Sequence, residues 1–172
     1  MTDLSTIHLG PLTPEAIPEP GGVVLATTDR DFSAWDWVPC MLASGRGAIE
    51  RLAMTTFNVS FCVLEALANE MDLGRVELCD LLVSSEVPYQ SGMAGTEEAL
   101  ARLATFFTGR FRWSARRTHA KVLCAWMESG DCLVVVGSGN LSSHNSRHEA
   151  YTVLNSRRAA DHVARWIAEV MK

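Results

Sequence analysis

Short apolar runs alternate with amphipathic segments along most of the chain. Residues 23–27 form a continuous apolar run with the length of a buried strand, and strands are also predicted at residues 48–56 and 76–84. The segments between and after them repeat apolar positions at helical spacing. They predict helices at residues 35–43, from a cap at Asn58 to a stop at Gly74, and from Thr96 to about Phe107. Strand and helix therefore alternate through the first part of the chain.

The last third of the chain is richer in strands. Strands are predicted at residues 111–117, 119–127, 132–136 and 149–154, with a hairpin turn at residues 128–131. Ser156 is then expected to cap a final amphipathic helix. This order of elements predicts the α/β class, with a mixed β-sheet flanked by helices on both faces as an α/β/α sandwich.

Length and the polarity of the first residues set the expected domain organisation. A chain of 172 residues suits one domain with a single substantial core. Residues 1–20 are polar and proline-rich, and they lack the basic and apolar parts of a secretory signal. We therefore expect a flexible N-terminal tail at residues 1–20 and a single domain at residues 21–172.

Charge and hydropathy exclude two classes of protein. With 15 basic and 20 acidic residues, the net charge of -5 excludes a broadly basic surface, so nucleic acid or phospholipid would need a local basic patch. No apolar run approaches the roughly 20 residues that span a bilayer, so we expect no stable membrane insertion. Five scattered cysteines are typical of buried thiols in a reducing compartment, and the cytoplasm is the expected location.

Polar and glycine residues in the strand-rich third form a pattern that suits chemistry on an anion. The pattern reads His119-Ala120-Lys121, then Gly137-Ser138-Gly139-Asn140, then Glu149. Residues two apart in a strand share a face, so an imidazole and an ammonium group are predicted side by side. The glycines predict a turn whose backbone N–H groups can meet an anion, and an acid on a third strand could hold the histidine in one tautomer.

These residues resemble the signature of the phospholipase-D-like superfamily, which is His-x-Lys, an Asp further along the strand, and then Gly-Ser-x-Asn. Glu149 resembles the acid that members keep just past the glycine turn. The sequence departs from the signature at one position, because the family's Asp falls at Trp126. The resemblance implies the fold of the superfamily, with a phospholipase-D-like domain at residues 21–172, and a metal-independent phosphodiester hydrolase.

The resemblance also implies a role for each residue. His119 would attack phosphorus and form a phosphohistidine intermediate, while Lys121, Asn140 and Ser138 would hold the non-bridging oxygens. Glu149 would accept a hydrogen bond from the imidazole. No metal and no cofactor are expected. Because the chain carries one copy of the motif, the resemblance implies a homodimer with the active site at the two-fold interface. There the second copy of His119 would protonate the leaving group.

Arginines just before His119 indicate how a polyanion could be held. Four of them precede it, at Arg110, Arg112, Arg116 and Arg117, with Trp113 among them. A basic strand with an aromatic residue can guide a nucleic-acid backbone, but a charged edge strand that resists aggregation has the same pattern. The expected substrate-binding residues are Arg116, Arg117, Gly137, Gly139 and Arg147.

Several functions stay open. An endonuclease acting on DNA or RNA is the first hypothesis, favoured by the small size and the arginines. A phospholipid-headgroup phosphodiesterase or transferase is the second, and a catalytically silent member that binds nucleic acid is the third, supported by Trp126. A zinc site is disfavoured because a whole hairpin separates its two cysteines. Its candidate ligands are Cys124, Cys132, His144 and His148.

Overall fold

The computed structural model describes residues 4–9, 17–28, 32–86, 94–141 and 149–172. The strands within these ranges are β1 (Leu4–Leu9), β2 (Val23–Thr28), β3 (Ile49–Thr56), β4 (Val76–Ser84), β5 (Phe111–Arg116), β6 (Val122–Met127), β7 (Cys132–Gly137) and β8 (Glu149–Asn155). The helices are α1 (Trp37–Ala43), α2 (Phe61–Asp72), α3 (Ala94–Phe106) and α4 (Arg157–Val170), and a short 3-10 turn (Ala34–Asp36) leads into α1.

The strands form one mixed sheet in the order β1-β2-β8-β7-β6-β3-β4-β5. β3, β4 and β5 are parallel to one another, whereas β6, β7 and β8 are antiparallel to their neighbours. Consequently, the carboxyl ends of β3, β4, β5 and β7 meet the amino ends of β6 and β8 at one side of the sheet. We call this side of the sheet the motif edge. It comprises the residues that end or follow β3, β4, β5 and β7, those that precede β6, and those that begin β8.

Apolar side chains alternate between the two faces of the sheet, and helices cover both. Leu52 and Leu81 pack in the core under α1, α2 and α3. Their chain neighbours Ala53 and Leu82 point to the opposite face, in the core under α4. Successive residues of a strand face opposite sides, so one sheet serves two apolar layers. The predicted mixed sheet with helices on both faces is confirmed.

The first residues differ from the expected flexible tail. Leu4–Leu9 form β1, which pairs in parallel with β2 at one end of the sheet. Ile17 is buried in the core, and Pro18 O accepts a hydrogen bond from Asn155 Nδ2 at 3.0 Å. Residue 20 is therefore no boundary between a loose segment and the domain, because the earlier residues contribute a strand and an apolar contact. The polar composition hid this strand, whose pairing depends on backbone atoms.

Helix α2 starts three residues after the cap that the sequence predicted at Asn58. Val59 forms a bridge with Leu141, and Ser60 N donates to Leu141 O at 2.9 Å. This extended pairing uses backbone that a helix from Asn58 would need. The helix therefore begins at Phe61, with Ser60 as its N-cap.

A buried carboxylate on β4 joins three strands. Asp80 accepts hydrogen bonds from Arg112 Nε on β5 at 2.7 Å and from Arg51 on β3 at 3.0 Å. Burial alone would raise the pKa of Asp80, but the two guanidinium groups outweigh it and lower that pKa from 3.8. We expect Asp80→Asn to lower the free energy of unfolding by about 2 kcal/mol at pH 7, measured by urea denaturation.

The pH dependence gives this prediction a second measurement. A carboxylate whose pKa is lowered by folding stabilises the fold above its unfolded-state pKa, and the contribution disappears as pH falls through the folded-state pKa. The difference between wild type and Asp80→Asn should therefore shrink below pH 3.8. Glu77→Gln removes an exposed carboxylate from the same strand and should change the free energy by less than about 0.5 kcal/mol. Equal losses in the two variants would contradict the prediction.

Candidate active site

The motif edge brings together residues that are far apart in the sequence. Phe57 follows β3, Glu86 lies two residues after β4, and Arg117 follows β5. The sequence-predicted residues lie at or just beyond the ends of the adjacent strands β6, β7 and β8, and they are His119, Lys121, Gly137, Ser138, Gly139, Asn140 and Glu149. The candidate site therefore extends across six neighbouring strands, three of which the motif did not indicate.

His119 and Lys121 lie in the segment that leads into β6, and the strand itself begins at Val122. Thr55 explains the difference from the predicted strand start. Its Oγ1 donates to Ala120 O at 2.9 Å and accepts from Val122 N at 3.2 Å. The hydroxyl takes the hydrogen bonds that would continue the pairing of β6 with β3. Strand alternation is therefore not what positions the imidazole and the ammonium group.

The imidazole of His119 is exposed but held on two sides. Its side chain is 68% exposed. The ring stacks on Phe57, with centroids 4.5 Å apart and an interplanar angle of 25°. Nε2 lies 3.0 Å from Glu86 Oε2, and an ionised carboxylate can only accept, so Nε2–H is the donor. These contacts orient the ring and leave much of it open to solvent.

The carboxylate that contacts the imidazole belongs to Glu86, whereas the motif implied a hydrogen bond from the imidazole to Glu149. Glu86 Oε1 also accepts from Arg117 Nε at 2.7 Å, so one carboxylate joins an imidazole and a guanidinium. Glu149 accepts a hydrogen bond from Ser138 Oγ. Phe57 and Glu86 were missed because neither belongs to the motif. Their position just past the carboxyl ends of parallel strands, where α/β sheets bind ligands, was the available signal.

Lys121 turns back toward the histidine. Its Nζ donates to His119 O at 3.1 Å and lies 5.9 Å from the centre of the Phe57 ring. An ammonium group is attracted to the negative face of an aromatic ring, which helps to hold the flexible side chain. Phe57 therefore supports both the imidazole and the ammonium group, and a positive charge stands beside the histidine.

The glycine turn differs from the expected anion cradle. Gly137 N donates to Lys121 O and Ser138 N donates to Ala150 O, each at 3.2 Å. These two N–H groups are thus used in contacts between strands. Glycine is needed at position 137 for a packing reason, because a Cβ there would overlap the Tyr151 ring and lie 2.9 Å from Ala150 O. The contacts therefore give Gly137 a packing role.

The other predicted residues of the turn lie on the β8 side of the motif edge. Ser138 Oγ donates to Glu149 and accepts from Ala150 N at 3.2 Å. Gly139 is buried. Asn140 O accepts from Ala34 N at 3.2 Å, while its side-chain carbonyl oxygen is buried with no donor among the described residues. The turn therefore fixes Ser138 against Glu149, and it leaves the amide oxygen of Asn140 without a protein donor in the described part of the chain.

Two of the four arginines before His119 are structural. Arg110 donates to backbone carbonyls that include Met71 O at 3.0 Å, and its guanidinium lies 5.6 Å from the centre of the Phe107 ring. Arg112 pairs with Asp80. Their charges are used in contacts within the fold, which neither interpretation of the basic strand predicted.

The other arginines of the predicted basic patch have different positions. Arg116 is exposed at the end of β5, and its Nη1 donates to Ala115 O at 3.0 Å. Arg117 is 86% exposed and pairs with Glu86 at the motif edge. Arg147 lies outside the described residues. Only part of the basic strand is therefore placed to meet a substrate at the motif edge.

The residue at the family's Asp position is structural. Trp126 is buried under α4, its Nε1 donates to Asp161 Oδ1 at 3.2 Å, and the Arg51 guanidinium lies 5.2 Å from its ring centre. Trp126 is the fourth residue after Val122 along β6, which places it about 13 Å from the start of the strand. The departure from the signature therefore alters the core under α4 and lies away from the motif edge.

The cysteines of the zinc alternative belong to the same core. Cys124 and Cys132 are free thiols buried under α4. Burial raises the pKa of Cys124 to about 12, although Arg51 acts in the opposite direction, and burial also raises the pKa of Cys132. Zinc binds thiolates, so these contacts do not favour a metal site. His144 and His148 lie outside the described residues.

The histidine stands on an open surface. A cavity of about 10 Å³ lies beside Lys121 and Gly137. A much larger groove, of about 730 Å³, lies away from the histidine between α2 and α3 and is lined mainly by apolar side chains such as Leu64 and Leu103. The reactive side chains predicted from the sequence and the larger groove therefore lie in different parts of the molecule.

Comparisons of the sequence with family models and with curated proteins give no match. Solved structures do match. The chain is similar to Nuc from Salmonella typhimurium, a phospholipase D family member, with 15% identity, a TM-score of 0.60, and coverage of 87% of this chain and 93% of Nuc. It is also similar to polyphosphate kinase from Porphyromonas gingivalis, with 15% identity, a TM-score of 0.57, and coverage of 86% of this chain and 26% of the kinase. The chain therefore has the phospholipase-D-like fold that its histidine motif implied.

Proposed function

We propose that this chain is a metal-independent phosphodiester hydrolase, acting as an endonuclease on DNA or RNA. The observation that carries the proposal is the exposed imidazole of His119, stacked on Phe57 with Lys121 beside it. An accessible imidazole can act as a nucleophile, and a neighbouring ammonium group can stabilise a phosphoryl group under attack. The fold shared with a phospholipase D family member supports the same chemistry.

The proposed reaction has two steps. His119 Nε2 forms a bond to phosphorus while the bond from phosphorus to the leaving oxygen breaks, and an acid protonates that oxygen. Water then attacks the phosphohistidine, which releases the phosphoryl product and restores the imidazole. We assign the contacts to non-bridging oxygens to Lys121 and Asn140, and to the Ser138 hydroxyl once substrate replaces Glu149 as the acceptor of its hydrogen bond.

The proposed acid is His119 of a second copy of the chain. One motif supplies one imidazole, so a two-fold axis near the motif edge would place the second imidazole opposite the first. The open surface around His119 fits this arrangement, because the facing copy would supply the missing wall. Arg116 and Arg117 are proposed to line the same interface and to contact further phosphates of the substrate.

An extended polyanion is the substrate that the exposed histidine favours. The arginines at the end of β5 can meet phosphates on either side of the scissile one. The third hypothesis, a silent member, loses its support in the sequence, because Trp126 lies in the core under α4. None of the helices within the described ranges is long and apolar enough to cross a bilayer.

Cleavage in the presence of a chelator tests the proposed function. Labelled single- and double-stranded DNA and RNA are incubated with the protein in EDTA, alongside phospholipid vesicles. We expect release of shorter nucleic-acid fragments at a rate that EDTA does not change, because no step uses a metal ion. Headgroup release from vesicles without nucleic-acid cleavage would contradict the assigned substrate. Turnover of neither would contradict the hydrolase itself.

A further inference from the structure

The carboxylate of Glu86 contacts both His119 and Arg117 at the motif edge. We propose that this carboxylate competes with a substrate phosphate for His119 and Arg117, and that substrate binds by displacing it. This inference rests on the proposed function, since it concerns the same histidine. It adds a residue that neither the motif nor the comparison with solved structures indicates.

The geometry is that of a bound oxyanion. One carboxylate oxygen of Glu86 lies 3.0 Å from His119 Nε2, and the other lies 2.7 Å from Arg117 Nε. A phosphodiester also presents two oxygens of shared negative charge, and an imidazole and a guanidinium are both donors that bind them. The carboxylate is thus a chemical stand-in for the phosphate, held by the same two side chains.

The contact also affects reactivity. In the described arrangement Nε2 carries the proton that it donates to Glu86, so its lone pair is not available for attack on phosphorus. Displacement of Glu86 removes that acceptor, and water then relays the Nε2 proton to Nδ1, so that the Nε2 lone pair faces the phosphate. The proton is conserved in this exchange, and the imidazole then attacks in its neutral form.

The exposure and charges around this carboxylate favour its displacement. Arg117 is 86% exposed, and Glu86 is 35% exposed, so solvent can replace the contacts that each one loses. Lys121 Nζ lies 5.9 Å from the centre of the Phe57 ring and adds a charge that attracts the phosphate. The carboxylate repels the same phosphate. Glu86 therefore lowers the net positive charge that an entering phosphate meets beside His119 and Arg117.

Binding of inorganic phosphate isolates this competition from turnover. We expect Glu86→Gln, which keeps the size and a hydrogen-bond acceptor but removes the charge, to tighten phosphate binding about tenfold in calorimetry. Glu86→Ala should do the same, so the result does not depend on one replacement folding well. Glu50→Gln is the matched control, because it removes an exposed carboxylate from the opposite side of the sheet, and it should leave the affinity unchanged.

Arg117 gives a second measurement of the exchange. When Glu86 leaves, its guanidinium is released to the ligand, so Arg117→Ala in the Glu86→Gln background should weaken phosphate binding about fivefold. In turnover, Glu86→Gln should lower KM about tenfold and leave kcat within about twofold, because the displacement cost is the same for substrate and transition state. A fall in kcat with unchanged KM would instead make Glu86 a group of the chemical step and would overturn the proposal.

The two proposals fail in different ways. Cleavage by the wild type, together with unchanged or weaker phosphate binding in both Glu86 variants, overturns the competition and leaves the hydrolase standing. Tighter phosphate binding in the variants without cleavage of any substrate supports the competition and overturns the hydrolase. No phosphate binding by the wild type or by either variant overturns the competition, because no oxyanion site would then exist.

Discussion

Replacing His119 with alanine is expected to lower the rate of phosphodiester cleavage by at least about 10³-fold, because the proposed nucleophile is lost. The fold should be unaffected. The imidazole is exposed, and a surface hydrogen bond and one ring contact contribute little, so the free energy of unfolding should change by less than about 1 kcal/mol. Single-turnover cleavage of a labelled oligonucleotide and urea denaturation measure the two effects.

His162 provides the matched control for this variant. It is an exposed histidine on α4, the helix that covers the opposite face of the sheet from α2 and α3. His162→Ala should retain wild-type cleavage. Residual activity of His119→Ala within tenfold of the wild type would show that the imidazole is not the nucleophile. A covalent phosphoryl group on the wild-type protein in acid-free quench conditions, absent from His119→Ala, would identify the intermediate.

The same variant tests whether the site needs two copies of the chain. If each active site takes one imidazole from each copy, a ninefold excess of His119→Ala chains lowers activity per wild-type chain about tenfold after random pairing. Refolding the two differently tagged chains together produces the mixed population. Unchanged activity per wild-type chain would mean that one copy is sufficient. Light scattering on the wild type gives the oligomeric state directly.

The sequence predicted most of the fold because its strands are buried on both faces. β4 covers residues 76–84, as predicted from its apolar residues although Glu77 and Asp80 lie among them, and Gly74 ends the preceding turn with a φ of 70°. β1 was not predicted, because its pairing at the end of the sheet depends on backbone hydrogen bonds that polar side chains neither require nor forbid. Buried strands can therefore be predicted from their apolar residues, whereas a strand at the end of the sheet gives only a weak signal in the sequence.

The site was predicted in part, and the missing parts depend on tertiary contacts. The motif placed His119, Lys121 and the glycine turn at one side of the sheet, where the structure has them. It could not show that Thr55 ends the pairing of β6 before the histidine, because that contact joins residues 65 and 67 positions apart. Nor could it show Glu86 beside His119, 33 positions away, since the parallel order of β3, β4 and β5 creates that contact.

Lys121 is expected to matter almost as much as the histidine. Lys121→Ala should lower kcat about 10²- to 10³-fold with a much smaller change in KM, because the charge that it offsets grows in the transition state. Its cation–π contact with Phe57 and its hydrogen bond to His119 O are surface contacts. The loss of stability should therefore be below about 1 kcal/mol. Steady-state kinetics and urea denaturation separate the two effects.

The composition of the chain makes this prediction easy to control. Lys121 and Lys172 are its two lysines, and Lys172 lies exposed at the end of the chain, paired with Glu169. Lys172→Ala should therefore keep full activity.

In the Lys172→Ala variant, an amine-directed acetylating reagent has Lys121 as its lysine target, and inorganic phosphate should protect it if the ammonium group contacts the oxyanion. Acetylation that proceeds equally with and without phosphate, or a Lys121→Ala variant within tenfold of wild-type kcat, would remove Lys121 from the site. Lys121→Arg should recover only part of the rate, because a planar guanidinium keeps the charge but not the compact geometry of an ammonium group.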